Sequence, residues 1–160
     1  MARILIADDS EMVRKHLKVT LDRQDGWTVC GETANGLKAV LLAHELKPDL
    51  VILDLVMPML DGLAAAAEIA KILPAVPIVI YSVQIQPELE VEARKPGVWA
   101  MVSKSAGPEQ LIETVKRLLT ASQPALLSES TDAGIETRLA KEVPADLQSN
   151  SLPESSDELN

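Results

Sequence analysis

The sequence predicts an α/β protein in which helices cover both faces of one five-stranded parallel sheet, a doubly wound arrangement. Short apolar runs alternate with segments of helical periodicity along residues 1–122, a pattern typical of parallel sheets with helical crossovers. The run LVILD (50–54) is apolar without alternation, as expected for a central strand that is buried on both faces. Polar residues directly follow several of these runs, where ligands of an open parallel sheet bind.

The five predicted strands are short apolar runs bounded by turn residues or charged residues. They are RILIA (3–7), WTVCGETA (27–34), LVILD (50–54), IVIYS (78–82) and AMVS (100–103).

Five helices are predicted to follow these strands in turn. They are a helix capped by Ser10 and broken at Asp25-Gly26, then 37–46 after the Asn35-Gly36 turn, 63–73, 87–95, and 109–119 opened by Pro108. In the first helix the residues with helical spacing, predicted to face the core, are Met12, Val13, His16, Leu17 and Leu21.

Length and composition fit one aliphatic domain. The chain has 160 residues, 47% of them hydrophobic and only 2% aromatic, which is enough for one well-buried core. Its apolar runs are far shorter than the ~20 residues that span a bilayer, and its first residues do not resemble a signal peptide. The single cysteine, Cys30, forms no intrachain disulfide and is predicted to be a small core residue. We therefore expect a soluble, cytoplasmic protein without membrane association.

The charge balance excludes a basic footprint for nucleic acid. The net charge is −9, and residues 123–160 alone hold 8 acidic and 2 basic residues, so direct nucleic-acid binding is not expected. We expect residues 1–122 to form the domain and residues 123–160 a disordered acidic tail. Ile135, Leu139 and Val143 have four-residue spacing, and the alternative is a short amphipathic helix that docks on a partner or on the domain.

Five polar residues come at the ends of predicted strands. They are Asp8 and Asp9, Asp54, Ser82 and Lys104. In a sheet of order 2-1-3-4-5, strands one and three are neighbours at the topological switch point, so their carboxylates would meet. Three crowded carboxylates repel one another and need a cation, which Lys104 or Mg²⁺ can supply. The sequence therefore predicts a site for a divalent cation and a phosphoryl group.

Each of these residues also has an ordinary structural interpretation. An Asp-Asp pair can cap a helix, Ser82 can be a loop hydroxyl and Lys104 a solvated charge. What favours the site is that all of them fall at strand ends in order. His16 and His44 lie on predicted helices away from those ends, and no metal or catalytic role is expected for them.

With these motifs, residues 1–122 resemble the response-regulator receiver domains of two-component signalling. The matching features are ADD after strand one, DLVMPMLDG from Asp54 to Gly62, Ser82 after strand four and Lys104 after strand five. The resemblance implies a flavodoxin-like fold with sheet order 2-1-3-4-5. The continuation KSAGPEQL is similar to receivers that elsewhere precede a helix-turn-helix domain, although no DNA-binding output domain is expected in this chain.

The resemblance also implies a role for each site residue. Asp54 would accept a phosphoryl group from a sensor histidine kinase or a phosphotransfer protein, catalysing its own phosphorylation and dephosphorylation rather than acting as an enzyme on a separate substrate. Asp9 and Asp54 would ligate Mg²⁺ directly and Asp8 through water. The backbone carbonyl of Val56 would complete the protein ligands.

Ser82 and Lys104 would hold the phosphoryl oxygens, as charge neutralisation in phosphoryl transfer requires. The phosphorylated state would then switch a face, formed by the predicted helices 87–95 and 109–119 and the strand between them, that binds an unknown downstream protein.

One switch position departs from the family pattern. Met101 stands where the family usually has a tyrosine or phenylalanine, and a thioether has no ring to report the state of Ser82. Tyr81 neighbours Ser82, but strand alternation predicts that it points to the opposite face. Trp99 is interpreted either as an exposed aromatic anchor on the output face or as a buried packing residue.

Two other classes of function remain as alternatives. An aspartyl-phosphate phosphatase of the haloacid-dehalogenase type would carry a second acid two residues after its nucleophile, where this chain has Val56. A phosphorylation-independent interaction domain on the same frame is allowed by Met101, although the intact set of acids argues against it.

Overall fold

The computed structural model describes residues 1–88 and 97–121. Strands and helices alternate in it as predicted. They are β1 (Ala2–Ala7), α1 (Glu11–Asp22), β2 (Trp27–Thr33), α2 (Gly36–Leu46), β3 (Leu50–Leu53), α3 (Gly62–Ile72), β4 (Ile78–Ser82), β5 (Ala100–Ser103), a 3₁₀ turn (Lys104–Ala106) and α4 (Pro108–Ala121).

All five strands are parallel and lie in the order β2-β1-β3-β4-β5. This confirms the predicted doubly wound, flavodoxin-like sheet. The described residues contain four of the five predicted helices, and the predicted helix 87–95 lies outside them except for its first two residues. The predicted tail, residues 123–160, also lies outside the described residues.

The helices begin where short polar side chains cap them. The side chains of Ser10, Asn35 and Asp61 accept hydrogen bonds from backbone N–H groups in the first turns of α1, α2 and α3, which satisfies donors that have no partner inside a helix. The polar residues between strand and helix therefore fix where each crossover turns.

The sheet separates two apolar clusters because consecutive strand residues point to opposite faces. On one face, Leu5, Val51 and Ile80 pack with residues of α2 and α3. On the other face, Ile4 and Ile52 pack with residues of α1 and α4. Both faces of the central strands are therefore covered, which leaves the strand ends as the place for polar groups.

Two expectations about the core need correction. Met12 is 79% exposed and His16 is also exposed, whereas Leu17 and Leu21 are buried. The buried stripe of α1 is thus narrower than the predicted one, because only its i, i+4 positions face the sheet. Cys30 is half-buried and packs against the α2–α3 cluster, at a register shift in the β1–β2 ladder.

Among residues 1–88 and 97–121, no helix combines the length and the apolar character that would let it cross a membrane.

Candidate functional site

The acidic residues after β1 and β3 lie together at the carboxyl edge of the sheet. Ala7 pairs with Leu53 in the ladder, and the Asp54 N–H donates to the Ala7 carbonyl at 2.9 Å. Asp8 and Asp54 are buried, at 1% and 7% exposure, and Asp9 is exposed. One carboxylate oxygen from each of the three lies within 4.8 Å of the others. The convergence predicted from the switch point is therefore present.

Asp8 is held at each of its polar atoms. Its N–H donates to the Thr33 carbonyl at 3.0 Å, and its carbonyl accepts from the Arg14 guanidinium at 2.8 Å. Its Oδ1 accepts from the Ser10 N–H at 2.9 Å, and its Oδ2 pairs with Lys104 Nζ at 2.7 Å. Such a carboxylate has little freedom to move.

Among the described residues, Lys104 supplies the positive charge that contacts the buried acids Asp8 and Asp54. It directly follows β5, and its Nζ lies 2.7 Å from Asp8 Oδ2 and 3.5 Å from Asp54 Oδ2. The ammonium also lies 6.0 Å from the centroid of the Tyr81 ring. One charge thus neutralises part of two buried carboxylates, and the same ammonium is within reach of any group attached to Asp54.

Asp54 sits in an environment that disfavours its charged form. Burial raises the pKa of its carboxyl, and the charge of Asp8 raises it further. Lys104, a hydrogen bond with Ser82 and the Leu55 N–H, which donates to Asp54 Oδ1 at 2.8 Å, lower that pKa and only partly offset the rise. A divalent cation would favour the ionised form, since an opposite charge stabilises it.

Ser82 ends β4 next to this carboxylate. It is 1% exposed, and its hydroxyl oxygen accepts from the Gln84 N–H at 3.4 Å. In the β4–β5 ladder it pairs with Ser103, the residue before Lys104. The ladder therefore brings the predicted hydroxyl and the predicted ammonium to one place beside Asp54.

The loop after Asp54 folds back onto that residue. The Gly62 N–H donates to the Leu55 carbonyl at 2.8 Å, and a Cβ at Gly62 would lie 2.1 Å from the Asp54 carbonyl oxygen. Only glycine permits this approach, which explains the Asp61-Gly62 pair at the start of α3. Val56 lies in this loop with an exposed side chain, and a ligand role for its carbonyl stays a prediction.

The residues expected to report the state of Ser82 lie on different sides of the sheet. Met101 pairs with Ile80 and packs against the α2–α3 cluster. Tyr81 is buried in the opposite cluster, as strand alternation predicted. Trp99 is 43% exposed, which favours the surface interpretation of this residue over buried packing.

The three carboxylates suit a hard divalent cation. Magnesium prefers a few carboxylate oxygens together with water and phosphate oxygens. Asp9 contributes an exposed carboxylate that has no hydrogen bond or ion pair with residues 1–88 or 97–121. Its oxygens are free to ligate, which is what the predicted metal role of Asp9 requires.

Sequence reasoning missed Arg14 and Glu32. Arg14 donates to the Asp8 carbonyl and also, through Nε, to Glu32 Oε1 at 3.0 Å. The two residues are 18 positions apart on a helix and an edge strand, so no local pattern linked them.

His16 and His44 are exposed on α1 and α2.

The fold and the edge site together define a class: α/β proteins with a doubly wound sheet whose switch point carries a cluster of acids, a lysine and a hydroxyl. Residues 4–116 match the family described as the response regulator receiver domain. The chain therefore belongs to this family, and it contains the receiver domain of a response regulator.

Relatives and solved structures agree with this assignment. The chain is similar to the chemotaxis protein CheY of Thermotoga maritima, with 36% identity over 116 residues, 72% of this chain and 96% of that protein. It is also 36% identical over 115 residues to the response regulator protein VraR of Staphylococcus epidermidis, covering 72% of this chain and 55% of VraR. The chain thus matches about half the length of that relative.

Among solved structures, the response regulator domain of Thermotoga maritima CheB superposes with a TM-score of 0.70 at 30% identity, over 74% of this chain and 96% of that one. A two-component response regulator of the LuxR family from Aurantimonas gives a TM-score of 0.73 at 27% identity, over 89% and 97% of the two chains.

Proposed function

We propose that Asp54 is the phosphoacceptor of a two-component system and receives its phosphoryl group from a phosphohistidine of a sensor histidine kinase or of a phosphotransfer protein. The observation that carries this proposal is the convergence of three carboxylates and the Lys104 ammonium on the Asp54 side chain. Phosphoryl transfer needs in-line positioning and charge neutralisation more than covalent chemistry from the protein. This cluster has the charges for that task.

In this proposal, a carboxylate oxygen of Asp54 attacks phosphorus, the bond from phosphorus to the histidine nitrogen breaks, and an aspartyl phosphate forms. The Lys104 ammonium, already 3.5 Å from Asp54 Oδ2, would then hold a phosphoryl oxygen. The Ser82 hydroxyl, which lowers the pKa of the Asp54 carboxyl, would hold another.

Mg²⁺ would be held directly by the carboxylates of Asp9 and Asp54 and by the Val56 carbonyl, and by Asp8 through water. When bound, it supplies positive charge to the transferring phosphoryl oxygens. The protein residues fit it because Asp8 is fixed by four contacts, while the oxygens of Asp9 remain free among the described residues.

The output we propose is a change of partner binding. Movement of Ser82 and its loop toward the phosphoryl group would alter the surface around β5, where Trp99 is exposed and Met101 replaces an aromatic ring. The partner would be a protein, since a net charge of −9 disfavours nucleic acid and anionic membranes. We place this function in the cytoplasm, with residues 1–122 as the receiver and 123–160 as an acidic tail.

A phosphodonor assay tests this function against its alternatives. The full chain is incubated with acetyl phosphate, with Mg²⁺ or with EDTA, and both the protein-bound phosphoryl group and the released phosphate are followed. Labelling that requires Mg²⁺ and decays slowly supports the proposal. Rapid turnover of the donor would indicate a phosphatase, and no labelling would indicate an interaction domain that works without phosphorylation.

A further inference from the structure

We propose that Arg14 is a positioning residue of the acidic site: it fixes the peptide unit between Asp8 and Asp9 and thereby sets where the Asp9 carboxylate stands. This inference rests on the proposed function, because it concerns the divalent cation that these acids would hold. It adds to that function a residue on α1 and its anchor on the edge strand β2.

The guanidinium of Arg14 makes two directed contacts. One terminal nitrogen donates to the Asp8 carbonyl at 2.8 Å, and Nε donates to Glu32 Oε1 at 3.0 Å. The Arg14 side chain is 16% exposed. Its contact with the Asp8 carbonyl is part-buried, whereas its contact with Glu32 lies at the surface. Because a guanidinium is planar and its donors are fixed relative to one another, these two bonds together define its orientation.

The carbonyl that Arg14 contacts belongs to the peptide that links Asp8 to Asp9. The same residue is held on its N–H side by Thr33, which follows Glu32 on β2. The end of β2 therefore restrains the β1–α1 loop twice, directly through Thr33 and indirectly through Glu32 and Arg14.

Asp9 depends on this restraint more than its neighbours do. The carboxylates of Asp8 and Asp54 are held by backbone N–H groups and by Lys104. The Asp9 carboxylate has no such partner within the described residues. Its position is consequently set by its own backbone, and the peptide in front of it is the one that Arg14 holds.

Loss of the Arg14 charge and loss of its positioning role predict opposite changes in Mg²⁺ affinity. A cation near three acids opposes the binding of a divalent cation, so charge alone predicts that removing Arg14 tightens Mg²⁺ binding. Positioning predicts weaker binding, since loss of a residue that orients a metal ligand typically costs 10–100-fold in affinity.

The experiment measures the Mg²⁺ Kd of the full chain by calorimetric titration for the parent and for Arg14→Met. We expect the Kd to rise about tenfold or more in the variant. The matched control is Lys15→Met, which removes the same charge one position along α1 from an exposed pair with Glu11 at 2.8 Å and should leave the Kd nearly unchanged.

Two further variants separate positioning from general damage. Arg14→Lys keeps the charge but lacks the fork that reaches both acceptors, and it should bind Mg²⁺ more weakly than the parent. Glu32→Gln should weaken binding in the parent background but add little to Arg14→Met, because Glu32 acts through Arg14. Melting in EDTA shows which variants are folded. If Arg14→Met is unfolded, the Mg²⁺ Kd of Arg14→Lys tests the proposal instead.

Phosphodonor labelling gives a second readout. Arg14→Met should need more Mg²⁺ to reach its limiting labelling rate, and the limiting rate itself should stay near that of the parent. The inference is overturned if folded Arg14→Met binds Mg²⁺ as tightly as the parent or more tightly, or if only its limiting rate falls. A parent chain that binds no Mg²⁺ would instead overturn the metal assignment, and this inference with it.

Discussion

Asp54 is a buried carboxyl beside a second buried carboxyl, and its environment opposes its ionisation. The pKa of Asp54 is raised by burial and by Asp8, against the opposing effects of Lys104, Ser82 and the Leu55 N–H. A folded-state pKa above the unfolded value means that the folded chain binds this proton more tightly. Ionised Asp54 therefore lowers the stability of the cation-free fold, and this cost develops as pH rises through the window between the two values.

Asp54→Asn should accordingly raise the melting temperature in EDTA. The gain should be small at a pH below the ordinary carboxyl pKa and larger at neutral pH, because only the ionised form carries the cost. Lys104 keeps Asp8 as a partner at 2.7 Å in this variant, so the substitution leaves no unpaired buried cation. Melting curves across pH check this, and a gain that is equal at all pH values would contradict the electrostatic explanation.

The Asp9 carboxylate is exposed and has no partner among the described residues, so it is available to a divalent cation. Mg²⁺ should stabilise the parent by ~2.7 kcal/mol at a hundred times its Kd, and Asp9→Ala should remove most of that increment. Asp25→Ala is the control, because Asp25 is an exposed acid in the turn before β2 and should keep the increment. Identical melting of the parent in EDTA and in Mg²⁺ would refute the metal site.

The junction of β3 and α3 positions Asp54, because Gly62 at the start of α3 lies against the Asp54 backbone. Gly62→Ala should destabilise the fold by ~3 kcal/mol, since its Cβ would lie 2.1 Å from the Asp54 carbonyl oxygen. Gly26→Ala is the matched control: it has a φ of +84° but nothing within 4 Å of the new Cβ, so it should cost only about 1 kcal/mol of backbone strain. Denaturant unfolding compares them, and equal costs would mean that the approach at Gly62 is not tight.

The ends of two strands could be predicted from the sequence, but the buried stripe of α1 could not. Strands β4 and β5 begin and end as predicted, because turn residues and charged residues bound their apolar runs. The stripe on α1 was predicted too wide, since helical spacing alone does not tell which of Met12, Val13 and Leu17 faces the sheet. The outcome depends on how the helix is rotated against the sheet, which is a tertiary property.

Strand order was enough to predict the acids and the lysine of the site, but not the contact between Arg14 and Glu32. Parallel strands bring their carboxyl ends to one edge, so Asp8, Asp54 and Lys104 could be placed together from their positions alone. The Arg14–Glu32 contact could not, because it joins side chains of two elements through the geometry of the loop between them. Local periodicity contains no information about such a pair.

At the scale of the whole molecule, residues 123–160 should be dispensable for the chemistry. All five site residues precede residue 122, and exposed charges act over only ~8 Å at physiological salt. Deleting 123–160 should leave the Mg²⁺ Kd and the labelling rate nearly unchanged while altering solubility. Hydrogen exchange of the full chain checks the alternative: protection across 135–143, with slower labelling after truncation, would mean that this segment docks and regulates.

If Asp54 accepts the phosphoryl group, intact-mass measurement with peptide mapping will locate the modification on that residue. The parent and Asp54→Asn are incubated with acetyl phosphate and Mg²⁺, and the modified residue is located after proteolysis. We expect one phosphoryl group on the parent, at Asp54 and only with Mg²⁺, and none on Asp54→Asn. A folded Asp54→Asn chain that is labelled like the parent, or a parent labelled at another residue, would contradict it.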